Sequence, residues 1–209
     1  MSWTVHALTF IRDNLKILSW AVTIAVVFFI AIAITSRVHA YRSDQAVKAL
    51  YEAQKRGEGS SEQQNALKDI IDHYSGTAAG REAMIVLGNQ LYKKGDFAGA
   101  LEQFEKLAKK NKGNSLLKIA ALHSVAATQR AMGHIEDAAK TYLAAADDSR
   151  NLNKSQSLYQ AARCYEDVKQ YGEAEKIYRK IIESSEEGDA KSLSEERLLW
   201  LTANGSISG

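Results

Sequence analysis

Proline is absent from this chain, and cysteine is almost absent. Average usage would place about ten prolines in a chain of this length, yet none occurs among its 209 residues. Because proline mostly breaks or caps helices, its absence favours an all-α chain. The single cysteine, Cys164, excludes an internal disulfide framework and a cysteine-rich zinc site. The fold must therefore be held together by packing alone.

Recognisable catalytic and metal-binding motifs are missing as well. None of the five histidines is paired at the i, i+4 spacing with the glutamate that a zinc protease needs. The sequence has no nucleophile elbow and no phosphate-binding glycine loop. Adjacent glutamates at 186–187 and 195–196 are typical of a solvated charged surface rather than of acid–base catalysis. We predict a protein that is not an enzyme and needs no cofactor, metal or small-molecule substrate.

Charge is spread unevenly along the chain. Residues 1–42 hold four of the 27 basic residues but one of the 25 acidic residues, so the remainder is nearly neutral. Nucleic-acid binding requires a concentrated positive field, which this remainder lacks. The composition therefore argues against nucleic acid as a partner.

One long apolar run lies near the N-terminus. The residues from Ile17 to Thr35 carry no charge, and as a helix they rise roughly 28 Å, close to the hydrocarbon thickness of a bilayer. We predict a single transmembrane helix over residues 17–36. A cleaved signal peptide is the alternative, because "VHA" at 38–40 fits a cleavage site. The run is longer than the apolar core of a signal peptide, which favours a retained membrane anchor.

The segment before the span, residues 1–16, has an amphipathic pattern typical of a short interfacial helix. A simple continuation of the spanning helix is the alternative. Its apolar stripe consists of Trp3, Ala7, Phe10 and Ile11. Counting basic residues on the two sides of the span favours a cytoplasmic C-terminal side, but long domains follow that rule poorly. The charge count therefore leaves the orientation open.

The rest of the chain repeats itself. Four positions recur at steps of seven, five, four and three residues after a small residue, which is Gly88, Ala126 or Ala162. In the three copies these positions are Gly95, Ala100, Phe104 and Leu107; Gly133, Ala138, Tyr142 and Ala145; and Lys169, Ala174, Tyr178 and Ile181. A degraded fourth copy lies upstream. Such periodicity is the signature of a repeat architecture.

Each copy is expected to form two antiparallel helices joined by a tight turn. The small residues should lie where the paired helices approach most closely, and the alanine after each turn should pack into the partner helix. The aromatic four residues later should fill the groove towards the next repeat. The predicted units are a degraded repeat at 47–80, repeats at 81–115, 119–152 and 155–186, and a capping helix at 190–203. We expect Leu193, Leu198 and Leu201 of the cap to face inwards.

These residues resemble the tetratricopeptide repeat, and the resemblance covers about residues 47–186. The chain departs from that family's pattern because it lacks the tryptophan of the first helix and the terminal proline, and each unit is two to four residues longer. The resemblance implies a right-handed solenoid of helical hairpins over residues 44–209. Its concave face would be lined by the first helix of each pair, and residues 190–203 would form the final capping helix.

The first helices supply the candidate protein-binding groove. Aromatic side chains interleaved with Arg, Asn and Lys suit peptide recognition. The alternative is that Tyr92 and Tyr159 merely pack between neighbouring helices. The candidate groove residues are Glu82, Ile85, Asn89, Tyr92, Lys93, His123, Arg130, Gln156, Tyr159, Arg163 and Glu166.

The whole layout is similar to the YfgM-type ancillary subunits of the bacterial SecYEG translocon. The similarity comprises the short helix with "FIRDNLK", one span, "HAYRSDQAVKALYEA" leading out of the membrane, and then the repeats. It implies a single-pass inner-membrane protein with a cytoplasmic N-terminus and a periplasmic repeat domain. The implied partners are the SecYEG translocon, periplasmic chaperones and secreted chains, and the implied role is that of a chaperone-like scaffold. A structural subunit of an envelope assembly, in division, secretion or pilus machinery, is the alternative.

Overall fold

The computed structural model describes residues 14–111, 113, 115–184 and 188–207. Within these ranges every regular element is an α-helix, so the all-α prediction is confirmed. The apolar stripe predicted within residues 1–16 lies outside the described residues. The helices are α1 (Leu15–Gln54), α2 (Ser61–Tyr74), α3 (Ala78–Lys93), α4 (Phe97–Lys110), α5 (Ser115–Ala131), α6 (Ile135–Ala146), α7 (Lys154–Asp167), α8 (Tyr171–Ile182) and α9 (Asp189–Ala203).

Helix α1 joins two parts with different surroundings. The described apolar side chains of its first part, up to Val38, are all exposed, and this part is long and apolar enough to cross a membrane. Its composition fits a membrane span and also an N-terminal signal sequence. The last part buries Ala46, Leu50 and Ala53 in the first core, against α2 and α3. No proline or glycine interrupts the helix, so both parts form one continuous rod about 60 Å long.

The helices after α1 pack in chain order. Each helix from α2 to α9 lies against the one before it, while α1 also contacts α3 and α9 also contacts α7. Short turns reverse the chain between neighbours, as in a solenoid of helical hairpins. Three of the helices begin at a capping side chain that accepts a backbone N–H, which satisfies an otherwise unpaired donor. These caps are Ser60, Thr77 and Asp96.

The small residues of the repeat lie at the closest helix contacts. A Cβ added at Gly88 would lie 2.6 Å from Cε1 of Phe104, well inside contact distance. Ala126 is fully buried in one cluster with Ala138, and Ala162 is fully buried in another with Tyr178. Phe104 also shares a buried cluster with Val125 of the next hairpin, and Tyr142 shares one with Cys164. The packing predicted for the small, alanine and aromatic positions is therefore confirmed.

The three tight turns share one backbone conformation. The residues at the turn have positive φ, with values of 81° at Gly95, 82° at Gly133 and 60° at Lys169. In each turn the N–H of the following residue donates to the carbonyl five positions earlier, at 2.8 to 2.9 Å. This is the Schellman motif, which satisfies carbonyls left open at a helix end and normally uses glycine. The third turn adopts it with a lysine.

The capping helix α9 differs in one respect from the expectation. Leu201 is fully buried and Leu198 packs against the last core, as predicted. The prediction for Leu193 is wrong, because its side chain is 38% exposed. Ala190 and Ser194, one helical turn apart, are the buried residues of that part of α9.

Candidate protein-binding groove

The groove residues of the first clear hairpin are accessible. Glu82, Asn89, Tyr92 and Lys93 on α3 are exposed, while Ile85 is half-buried against the first core. The Tyr92 ring lies against Phe97 across the turn, with centroids 5.2 Å apart. Its side chain nevertheless remains 38% exposed.

This surface extends onto the end of α1. Nε2 of Gln54 donates to Oε1 of Glu82 at 3.3 Å. Lys94, which follows α3, donates from Nζ to the carbonyl of Gly59 at 2.6 Å and so connects the turn after α3 to the turn after α1. The end of α1 and helix α3 therefore present one exposed face of mixed polar and aromatic side chains.

His123 connects α5 to α7 instead of projecting freely. Its Nε2 lies 2.8 Å from Oγ of the fully buried Ser157, and its ring meets Tyr142 edge-on at 5.2 Å. Nδ2 of Asn151 donates to the same serine oxygen at 3.0 Å, which leaves the hydroxyl hydrogen for Nε2 of His123. Burial lowers the pKa of His123 below its usual value. The histidine is therefore a neutral structural link at pH 7.

Arg130 also joins α5 to α7, at the opposite end of these helices. Its Nε and Nη2 lie 2.9 and 2.6 Å from Oδ2 of Asp167, and both side chains are half-exposed. The pair can still contact a partner through its open side, but each charge already has its counterion. Neither residue offers an unmatched charge to the groove.

Two groove residues of the third hairpin, Tyr159 and Glu166, are buried under α8 and α9. The carboxylate of Glu166 accepts the hydroxyl of Tyr178 at 2.6 Å and accepts Nε and Nη2 of Arg197 at 3.1 and 2.5 Å. Arg163 lies beside the same carboxylate, with Nε 3.8 Å from Oε2. Tyr159 packs on Tyr178 at 5.8 Å between ring centroids and is only 7% exposed. This end of the groove is closed by the chain's own terminal helix.

The protonation states keep this cluster paired. The hydrogen bond to Glu166 raises the pKa of Arg197, and Tyr159 raises the pKa of Arg163, so both arginines remain cationic. Burial raises the pKa of Tyr178, which keeps its hydroxyl as a donor. On the neighbouring helical face, burial raises the pKa of the Cys164 thiol to about 11, which makes it an unreactive packed side chain.

Gln156 belongs to a different surface from the other candidates. It is exposed and lines a depression of about 380 Å³ between the α6–α7 turn and the beginning of α9. The structure thus separates the candidates into an open face on α3, links between α5 and α7, and a closed end under α9.

The residues that close the groove were missed by sequence reasoning. Arg197 is the important omission, since it carries the contact from α9 to Glu166. Its spacing in the sequence could have predicted this contact. Arg197 lies seven residues after Ala190 and four before Leu201, which places it on the inner face of the capping helix. In the part of the chain that the structure describes, no group of three or more His, Cys, Asp or Glu side chains could hold a metal ion.

Two comparisons with known proteins bear on this site. A family model described as a tetratricopeptide repeat-like domain matches residues 9–158. Among curated proteins, no significant match to the chain is found.

Proposed function

The chain belongs to the tetratricopeptide repeat-like family, and from this premise we propose that it is a membrane-anchored scaffold that binds other proteins through the face of α3. Repeats of this family generally bind proteins on their concave surface and do not catalyse reactions. The proposed function is therefore to hold partner proteins near the membrane without catalysing a reaction.

The single observation that carries the proposal is the exposure of the α3 face. Glu82, Asn89, Tyr92 and Lys93 combine an aromatic ring with donors and acceptors on one accessible surface, which suits recognition of an extended peptide or a loop. We place the edge of the binding surface at Arg130. Tyr159 and Glu166 fall outside it, since α9 covers them.

The continuity of α1 supports a retained anchor. Cleavage after Ala40 would cut inside this helix, next to Arg42, whose Nη2 donates to the carbonyl of His73 at 2.5 Å. The cut would leave the first repeat helix with a new end just before this contact. An anchor also confines the binding face to a thin layer above the bilayer, which raises its effective concentration for partners there.

From the similarity to YfgM-type subunits, we further propose a bacterial inner-membrane protein with its N-terminus in the cytoplasm and its repeats in the periplasm. Its partners would be the SecYEG translocon, periplasmic chaperones or secreted chains. A permanent structural subunit of an envelope assembly is the second candidate. The mixed polarity of the α3 face favours reversible binding, because permanent interfaces are larger and more apolar.

Crosslinking in intact cells tests the proposal. A photoreactive amino acid replaces Asn89 or Lys93 on the α3 face, and replaces the exposed Lys140 on α6 as a control of matched charge. Adducts from the α3 positions to translocon subunits and several secreted proteins would support the chaperone-like scaffold. One stoichiometric adduct to a single envelope protein would favour the structural subunit. Equal adducts from the Lys140 position would refute the α3 face as the binding surface.

A further inference from the structure

We propose that the turns on the anchor side of the solenoid form a second membrane contact, in which Leu116 and Leu152 enter the interface of an anionic bilayer and neighbouring lysines and arginines meet its headgroups. The proposal rests on the proposed anchoring through α1. Its elements are the direction of α1, the contacts between these turns, and two unusually exposed leucines.

The direction of α1 determines which turns face the bilayer. The helices alternate in direction, so the turns after α2, α4 and α6 lie at the end where α1 leaves its apolar part. Arg42 holds the end of α2 through the carbonyl of His73. It lies six residues beyond Ser36, about 9 Å along a helix, whereas the headgroup layer is about 5 to 7 Å thick on each side. The turn after α2 therefore begins at the outer edge of the headgroups.

Polar contacts keep the following turns near the same level. Nζ of Lys110, at the end of α4, donates to Oγ of Ser75 in the turn after α2 at 2.7 Å. Nζ of Lys118, in the first turn of α5, donates to Oδ2 of Asp148 in the turn after α6 at 3.1 Å. Three consecutive turns are thus tied in pairs across the anchor side, and α1 sets their distance from the bilayer.

Two leucines on this side are left almost uncovered by the residues that the structure describes. Leu152 in the turn after α6 is 91% exposed and Leu116 at the beginning of α5 is 78% exposed. These values exceed those of every other large apolar side chain in the described residues, including the apolar part of α1. A single exposed leucine is an ordinary surface feature. Two at one end of the solenoid, next to a membrane span, are arranged for insertion into an interface.

Cations flank both leucines. Lys109 and Lys110 precede Leu116 and are exposed, while Arg150 lies two residues before Leu152 and is also exposed. The nearby carboxylate of Asp148 already pairs with Lys118 and Arg150. Of the acidic residues here, Asp147 projects into solvent. Apolar side chains flanked by cations match the pattern of proteins that lie on anionic lipid surfaces.

The test measures lipid contact in the full chain reconstituted into vesicles of phosphatidylcholine, with and without phosphatidylglycerol. A polarity-sensitive fluorophore is attached to Leu116→Cys, Leu152→Cys, Glu136→Cys on the opposite side, or Val27→Cys within α1. The native Cys164 can stay, because it is fully buried and its pKa of about 11 keeps it protonated. The quencher is a nitroxide on the lipid headgroup.

With phosphatidylglycerol present, the probes at 116 and 152 are expected to lose about half of their emission and the probe at 136 almost none. The loss of emission should be smaller in vesicles of phosphatidylcholine alone. It should also be smaller in a Lys109→Glu, Lys110→Glu double variant. Lys140→Glu on α6 serves as the charge control and should not change it.

The outcomes separate this contact from the anchor itself. A blue-shifted probe at 27 without quenching at 116 and 152 would overturn the surface contact and leave the anchor standing. A probe at 27 that reports water would overturn both. Probes at 116 and 152 that are shielded from aqueous iodide yet unquenched by lipid would show that a protein covers the leucines, which also overturns the lipid assignment.

Discussion

Arg197 of α9 donates to both carboxylate oxygens of Glu166 on α7, which lies 31 positions earlier in the chain. Tyr178 of α8 donates to the same carboxylate. Three helices thus meet at one nearly buried charge, and this charge fixes the terminal helix over the end of the groove.

Arg197→Ala is expected to destabilise the protein by about 2 to 3 kcal/mol, because it removes two hydrogen bonds and a counterion from the buried Glu166 carboxylate. The measurement is urea unfolding of the full chain in detergent micelles. Arg179→Ala is the matched control, since Arg179 pairs with Glu175 on the surface of α8, and its loss should cost about 0.5 kcal/mol. Equal losses for the two variants would mean that the ion pair does not hold α9.

Gly88→Ala is expected to destabilise the hairpin of α3 and α4 by about 1 to 3 kcal/mol, because the new Cβ would collide with the Phe104 ring. Phe104→Leu in the same chain should recover part of the loss. Gly172→Ala provides the control, since nothing lies within 4 Å of a Cβ in that helix. It should raise stability by roughly 0.5 to 1 kcal/mol. A neutral Gly88→Ala would contradict the close approach.

Lys169→Gly is expected to stabilise the protein by about 0.5 to 1 kcal/mol, because glycine adopts the positive φ of this turn without strain. Gly133→Ala, at the equivalent turn, should be destabilising by about 1 kcal/mol for the same reason. Thermal unfolding of both variants supplies the comparison. If both variants were stabilised, or both destabilised, the two turns could not share one backbone conformation.

Stability should fall as the pH is lowered through the range just below the ordinary histidine pKa, because burial lowers the pKa of His123 in the folded state. In that range the unfolded chain binds a proton that the folded chain does not, so the free energy of unfolding decreases with decreasing pH. Urea unfolding at several pH values gives the slope. His123→Gln should reduce the slope, and an unchanged slope would assign the effect to other groups.

Tyr92→Ala is expected to affect partner binding, whereas Tyr159→Ala is expected to affect stability. Tyr92 is 38% exposed, so its loss should abolish partner capture by the α3 face with little change in melting temperature. Tyr159 is 7% exposed and packs on Tyr178, so its loss should cost about 3 kcal/mol of stability. Circular dichroism and capture of crosslinked partners measure the two effects. A destabilised Tyr92→Ala variant would make this tyrosine a packing residue.

The repeat positions could be predicted because local spacing determines them. A small residue, an alanine and an aromatic at constant steps leave few ways to pack two helices, and Gly88 against Phe104 is one of them. The closed end of the groove could not be predicted in the same way. Helical phase puts Tyr159 and Glu166 on the inner face, but their burial depends on Arg197, and sequence spacing does not determine where α9 docks.

The same limit explains the error at Leu193. Leucines on a capping helix are expected to face inwards by hydrophobicity, yet the buried residue at this level is Ser194, whose hydroxyl donates to the carbonyl of Ala190 at 2.6 Å. A small polar residue can satisfy itself within the helix and still pack closely. Hydrophobicity alone therefore gives the wrong face by one position.

If α1 spans the membrane as proposed, its unbroken course lets the bilayer control the direction in which the α3 face points. A span joined by a flexible linker would let the repeats swing independently, whereas a rod without glycine or proline passes its inclination directly to them. Membranes of different thickness change the inclination of a span. A change of about 10° would move a surface ~30 Å from the pivot by roughly 5 Å. Lipid composition would thus aim the α3 face toward or away from a partner fixed in the same membrane.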